Sequence, residues 1–216
     1  MIIVEGIADA VFINDLIGTI LPKDEAKFEE TVQFQRGKKI QTSIYRDINI
    51  FVAGGCTSIR KYNKQIAGFN DEGYKVIMLQ DADSEEKDNH HGGVTKRIKY
   101  LNEIKAEFKI EFEVFLFPNN LTDGTLETIL LSISADELYN KFFKCYEGYS
   151  NCVKEINSVN SKELLEEKYL IYNYCQVYQG NEMSSERDRR YVSEFWNLDH
   201  SNLQPLKEFL ISELDI

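Results

Sequence analysis

Four short apolar runs constrain the fold of this chain more than any other feature, because helical spacing stands between them. The runs are Ile2-Ile3-Val4, Ile48 to Ala53, Tyr74 to Gln80 and Ile110 to Phe117. The first three are mostly apolar, as strands covered on both faces are. The intervening stripes are Phe12, Ile13, Leu16, Ile17, Ile20 and Leu21; then Ile59, Tyr62, Ile66 and Phe69; then Val94, Ile98, Leu101, Ile104 and Phe108. Strands alternating with helices of this length predict an α/β fold, a parallel sheet of about four strands with flanking helices. The fourth run begins with the alternation Ile110, Glu111, Phe112, Glu113, Val114. One wet face places it toward an edge of the sheet.

Local signals mark the boundaries. Pro22 stops the first helix, and Gly54-Gly55 ends the second strand. Thr57 or Ser58 is placed to cap the second helix. Residues 23–47 are polar and charged. They hold either a small hairpin, with Val32 to Phe34 and Ile40 to Ile44 flanking Arg36-Gly37-Lys38-Lys39, or an insertion. After Leu121 the strand signal stops. Helical stripes follow: Leu126, Ile129, Leu130 and Ile133; Leu138, Phe142, Cys145, Tyr146, Tyr149 and Val153; Leu164, Ile171, Tyr172, Cys175 and Tyr178; and Leu203, Leu206, Phe209, Leu210 and Leu214. The expected organisation is an α/β domain over 1–134 and a helical extension over 135–216, packed on the same core.

Composition narrows the class. With 216 residues, 43% hydrophobic and 28% charged, the chain can bury a substantial core. The N-terminal apolar stretch is interrupted by Glu5, Asp9, Asn14 and Asp15, unlike a membrane span or a secretory signal. Cys56, Cys145, Cys152 and Cys175 show neither a CxxC pair nor zinc spacing and read as reduced core residues. Together these point to the cytoplasm. A formal net charge of -11 argues against a protein that coats nucleic acid, since such coating rests on Lys and Arg. It does not argue against an enzyme that meets phosphate through a bound cation.

The strand ends carry acids. Glu5 follows the first run, and Asp81-Ala82-Asp83 closes the third. Carboxyl ends of parallel strands share one rim, where ligands bind. Carboxylates gathered there repel one another unless a cation sits among them. Magnesium suits such a place, taking a few carboxylate oxygens plus water and substrate phosphate. Surface loops also carry such acids without a site. Asp9 serves either the dipole of the first helix or a position behind the metal ligands.

The set Glu5-Gly6, Gly54-Gly55 and Asp81-x-Asp83 resembles the Toprim domain, the metal-binding fold shared by topoisomerases, primases, recombination proteins and OLD-family nucleases. Phe117-Pro118-Asn119-Asn120, Gly124-Thr125-Leu126-Glu127 and Trp196-Asn197-Leu198-Asp199 look like stand-alone Toprim-like proteins of the DUF3226 type. The resemblance implies that Glu5, Asp81 and Asp83 are catalytic and hold Mg²⁺ or Mn²⁺, with Glu5 a proton carrier or ligand. It implies that Glu127 helps hold a second metal. Two metals would stabilise the attacking and leaving oxygens of a cleaved phosphodiester. The chain departs from the Toprim pattern at Ile7, where a lysine or other polar residue often follows Glu-Gly.

Other candidates are weaker. Asp81-x-Asp83-x-Glu85 begins like a calcium loop, but Glu86 and Gly92 occupy its glycine and closing-acid positions. His90 and His91 are adjacent, poor spacing for one metal, and His200 reads as structural. Among the basic clusters, Lys96 and Arg97 stand best for touching a phosphate backbone. Most Tyr and Phe fall at helical spacing and read as core. The expected function is Mg²⁺-dependent phosphodiester chemistry on DNA or RNA, of nuclease type. A regulatory module that binds a protein partner and a hydrolase of a small phosphorylated compound are the alternatives. Because Asp83 is expected among mutually repelling acids, Asp83→Asn is expected to leave metal-free stability unchanged or higher.

Overall fold

A computed structural model describes residues 1–21, 48–134, 136–156, 166–180 and 185–216. The expected hairpin at 23–47, Pro22 and Leu164 lie outside the described residues. Four strands form one sheet: β1 (Ile2–Val4), β2 (Ile50–Val52), β3 (Ile77–Asp81) and β4 (Glu113–Phe117). All pairings are parallel and the order is β2-β1-β3-β4. The alternation of apolar runs and helical stripes therefore produces the α/β sheet it predicts, with β4 on an edge.

Both faces are covered because side chains alternate along each strand. Ile2, Val4, Ile77, Leu79, Phe115 and Phe117 point into one cluster, with Phe12, Ile13, Leu16 and Ile17 of helix α1 (Ile7–Ile20). Ile3, Phe51, Met78 and Leu116 point into the other. There they meet Ile66 of α2 (Asn63–Asp71) and Leu101 and Ile104 of α3 (Val94–Phe108). Truncating a fully enclosed strand residue such as Leu79 to alanine would cost about 2–5 kcal/mol.

The first cluster continues into the second half of the chain. It takes in α4 (Leu126–Ile133), Phe142 of α5 (Asp136–Lys154), Ile171, Tyr174 and Cys175 of α6 (Glu167–Gln179), Trp196, and Leu206 and Leu210 of α7 (Gln204–Leu214). Hydrogen bonds fasten it: Asn197 N donates to Ile133 O at 2.6 Å. Tyr191 N donates to Asp15 of α1 at 2.8 Å. No helix among the described residues is long and apolar enough to cross a membrane.

Three local readings are corrected. Thr57 and Ser58 do not cap a helix; they lie inside a 3₁₀ turn, Cys56–Tyr62, which precedes α2. Of the cysteines only Cys175 is buried, while Cys145 and Cys152 are exposed. The tyrosines of α5 and α6 divide, Tyr174 going into the core and Tyr149, Tyr169 and Tyr172 onto the surface. The last two errors share one source: amphipathic spacing gives a stripe, and packing decides which part of the stripe is covered.

Candidate functional site

The chain enters the sheet at β1, adds β2 on one side and then crosses to β3 on the other. The carboxyl ends of β1 and β3 thus flank the point where strand order reverses, which is where open α/β sheets leave a crevice. Glu5 and Asp81 leave those two strand ends side by side. The Asp81 N–H donates to Glu5 Oε1 at 3.3 Å. The Glu5 carbonyl accepts from Gly54 N at 2.9 Å and Gly55 N at 3.3 Å. Gly54 and Gly55 adopt φ of 82° and 104°, a left-handed course that β-carbon-bearing residues rarely take.

Two helix starts close the crevice. Asp9, in the first turn of α1, folds back so that Oδ2 accepts from Gly6 N at 2.8 Å. Asp81 Oδ1 accepts from Leu126 N, the first residue of α4, at 2.8 Å. Glu127 follows in that turn. Both acids therefore sit at helix N-termini, whose partial positive charge favours anions.

The result is a cleft of about 350 Å³ whose walls include Glu5, Asp9, Asp81 and Glu127. Glu166, Glu167 and Lys168 at the start of α6, together with Glu186 and Lys87, complete its mouth. Burial pushes the Glu5 carboxyl up to about 7, against the pull of Arg97 and with the push of Asp9 and Asp83. Burial pushes Asp9 up to about 7 as well, despite its Gly6 hydrogen bond. Asp81 is raised well above the usual carboxylate range by burial and by the charges of Asp9 and Glu5. Such a group favours a proton or a cation. The oxygens are spread around the walls: among the described residues, no three Asp, Glu, His or Cys side chains converge tightly enough to hold an ion directly.

The sequence candidates thus divide. Glu5, Asp81 and Glu127 share the cleft, and Asp9 joins them. Asp83 does not line it. It turns at φ 57°, pairs through its backbone with Gly124, and places Oδ2 2.7 Å from Arg97 Nη2. Arg97 is 0% exposed, so its guanidinium lies inside the protein and is withdrawn from any bound backbone. This corrects its assignment as a phosphate contact. It also reverses the expectation for Asp83→Asn, because the substitution would remove a buried cation's partner. Lys96 remains on the surface, paired with Glu85 at 3.1 Å.

The histidines stay outside the cleft. His91 stacks on Tyr100 at 4.0 Å, and His200 Nδ1 accepts from Asn202 N at 3.1 Å. Sequence reasoning missed Lys87, Glu166, Glu167, Lys168 and Glu186. Those on α6 and beyond reach the cleft only through tertiary packing and carry no local signal.

No curated protein and no solved structure matches the chain. A family model matches residues 1–214, the full run of elements that builds the cleft, and on that match the chain belongs to the family described as a protein of unknown function (DUF3226).

Proposed function

We propose that the cleft is a divalent-cation site for phosphodiester chemistry on nucleic acid, of the nuclease type that the Toprim resemblance implies. One observation carries the reading: four carboxylates line one cleft at the sheet's strand-order reversal, and burial raises the proton affinity of three of them. A hydrated ion fits the spread of these oxygens better than a stripped one. Mg²⁺ keeps several waters and takes one or two carboxylates plus substrate phosphate. Asp81 is the carboxylate that would hold it first, with Glu5, Asp9 and Glu127 on the same walls. When bound, such an ion supplies charge stabilisation at the reacting phosphate.

The chain's own groups have separate work. Glu5, with an affinity near neutrality, is placed to take a proton from an attacking water. Lys87 and Lys168 at the mouth offer the phosphate its nearby positive charge. Asp83 and Arg97 fix the turn after Asp81 and do not reach the reaction. Residues that the resemblance makes ligands thus fall into three in the cleft and one behind it.

The test is direct. Purified protein is incubated with plasmid, single-stranded DNA and RNA in Mg²⁺, Mn²⁺ or EDTA. Cleavage is expected with metal and not with EDTA. Asp81→Ala and Glu5→Gln are each expected to abolish it. Intact nucleic acid in every condition, with no metal response, would move the assignment to a binding module.

A further inference from the structure

Cys56 stands apart from the other cysteines by its neighbours. It opens the 3₁₀ turn after Gly54-Gly55 and is only partly covered. Its sulfur lies against the guanidinium of Arg97, and its carbonyl accepts from Gln80 Nε2 at 3.5 Å. Gln80 lies in β3 on the same face as Met78, the face that α3 covers, and Arg97 is in the first turn of α3. Strand, turn and helix thus bring a thiol, an amide and a buried cation together on the side of the sheet away from α1.

These groups do not complete one another. Arg97 uses Nη2 on Asp83 at 2.7 Å, with Asp88 at 3.7 Å. It is 0% exposed, and its Nε and Nη1 are enclosed without an acceptor among the described residues. Gln80 is 2% exposed, and its Oε1 is enclosed without a donor. Enclosed polar atoms are costly when unpaired, most of all on a charged group. A thiol answers neither residue well, since sulfur is a weak acceptor and S–H a weak donor. An oxygen on that sulfur suits both. The oxygen of a sulfenic acid accepts from a guanidinium, and its O–H donates to an amide oxygen.

We propose that Cys56 is a site of reversible oxidation, taking a peroxide as its oxidant and held as the sulfenic acid between Arg97 and Gln80. The attacking form is the thiolate. Its sulfur gives an electron pair to one peroxide oxygen, the S–O bond forms and the O–O bond breaks. Sulfur is oxidised by two electrons and the peroxide is reduced. The departing hydroxide takes up the proton that the thiol released and leaves as water. Negative charge builds on that departing oxygen, and a guanidinium against the sulfur is placed to face it. The proposal holds whether or not the acid cleft takes a cation.

The other cysteines supply the internal comparison. Exposure alone would put Cys145 and Cys152 of α5 first. Cys175 is buried, and burial pushes its thiol up to about 11. The full reduced chain is treated with hydrogen peroxide in EDTA, and the gain of a single oxygen is followed with time by peptide mass spectrometry. Cys56 is expected to gain it at least about tenfold faster than Cys145 or Cys152, against the order of exposure. Dithiothreitol should remove it. Cys145→Ser with Cys152→Ser should still react, and Cys56→Ser should not. Arg97→Lys keeps a charge opposite Asp83 and loses the guanidinium's remaining donors. It should slow Cys56 about tenfold and leave Cys145 and Cys152 unchanged. The oxidised wild type should melt no lower than the reduced one, because enclosed donors gain an acceptor.

Reaction in the order of exposure, Cys145 and Cys152 before Cys56, overturns the proposal. So does a Cys56 that reacts equally fast in Arg97→Lys, or an oxidised wild type that melts well below the reduced protein. Where Arg97→Lys does not fold, the order of reaction among the wild type's own cysteines and the melting temperature of its oxidised form decide.

Discussion

Asp81 and Asp83 stand two residues apart, and their surroundings differ in kind. Asp81 faces Glu5, Asp9 and Glu127 across a cleft and has the α4 N-terminus as its positive neighbour. Asp83 turns away at a positive φ and meets the fully buried Arg97 at 2.7 Å. One carboxylate is left facing other acids; the other has Arg97 against it, although burial still lifts its carboxyl above the usual range. A pair of aspartates in sequence is therefore no evidence that both face one ion. The backbone turn between them decides which is offered to a ligand and which supports the turn.

That contrast predicts opposite signs for the same substitution. Asp83→Asn leaves Arg97 buried beside a neutral amide, with Asp88 at 3.7 Å as the nearest remaining charge. Removing one partner of a fully buried pair costs about 3–5 kcal/mol; Asp83 is partly exposed and Asp88 remains near Arg97, so the low end of that range is expected. A denaturant titration should show a loss of this size, largely recovered when Arg97→Met is added. No recovery would mean that the ion pair is not the cause.

The next effect in size is a pH dependence. Glu5 and Asp9 have ordinary values of 4.5 and 3.8 when unfolded and about 7 when folded. Between those values the folded chain holds protons that the unfolded chain has released. Metal-free stability should therefore be greatest at the acid end and fall as pH rises from about 5 to 8, by on the order of 2 kcal/mol. Glu5→Gln should flatten the fall. A stability that rises over this window would contradict the burial of these acids.

Asp81→Asn should be smaller and opposite to Asp83→Asn. It keeps an acceptor for Leu126 N and removes one repelling charge, so metal-free stability at pH 8 should hold or rise by about 1 kcal/mol. The smallest effect belongs to Lys96, next to Arg97 in sequence but on the surface. Lys96→Ala breaks an exposed pair with Glu85 and should change stability by less than about 0.5 kcal/mol. A loss equal to that of Asp83→Asn would remove the distinction between the buried and exposed pairs.

Much of this contrast was within reach of the sequence, and the reason part of it was missed is specific. β1, β3, α3, α4 and the edge position of β4 follow from apolar spacing, which reports burial directly. The acids Glu5 and Asp81 follow from standing at strand ends. The burial of Arg97 had a signal that was overlooked. It stands three, four and seven residues before Tyr100, Leu101 and Ile104, the other buried positions of α3. Its charge drew it into a surface cluster when its register placed it with the core. The α6 contribution to the cleft had no such signal, because it depends on how α6 lies against α1, α4 and α5.

The central claim is that Asp81, and not Asp83, faces the cleft where a cation is proposed to bind. A Mg²⁺ or Mn²⁺ titration at pH 8, followed by melting temperature, tests it most directly. A cation that binds only the folded chain adds about 2.7 kcal/mol at one hundred times its dissociation constant. The wild type should melt higher with either metal. Asp83→Asn should start from a lower melting temperature and still rise, and Asp81→Ala should not rise at all. A wild type indifferent to both metals, or an Asp81→Ala protein that responds as the wild type does, would contradict the account.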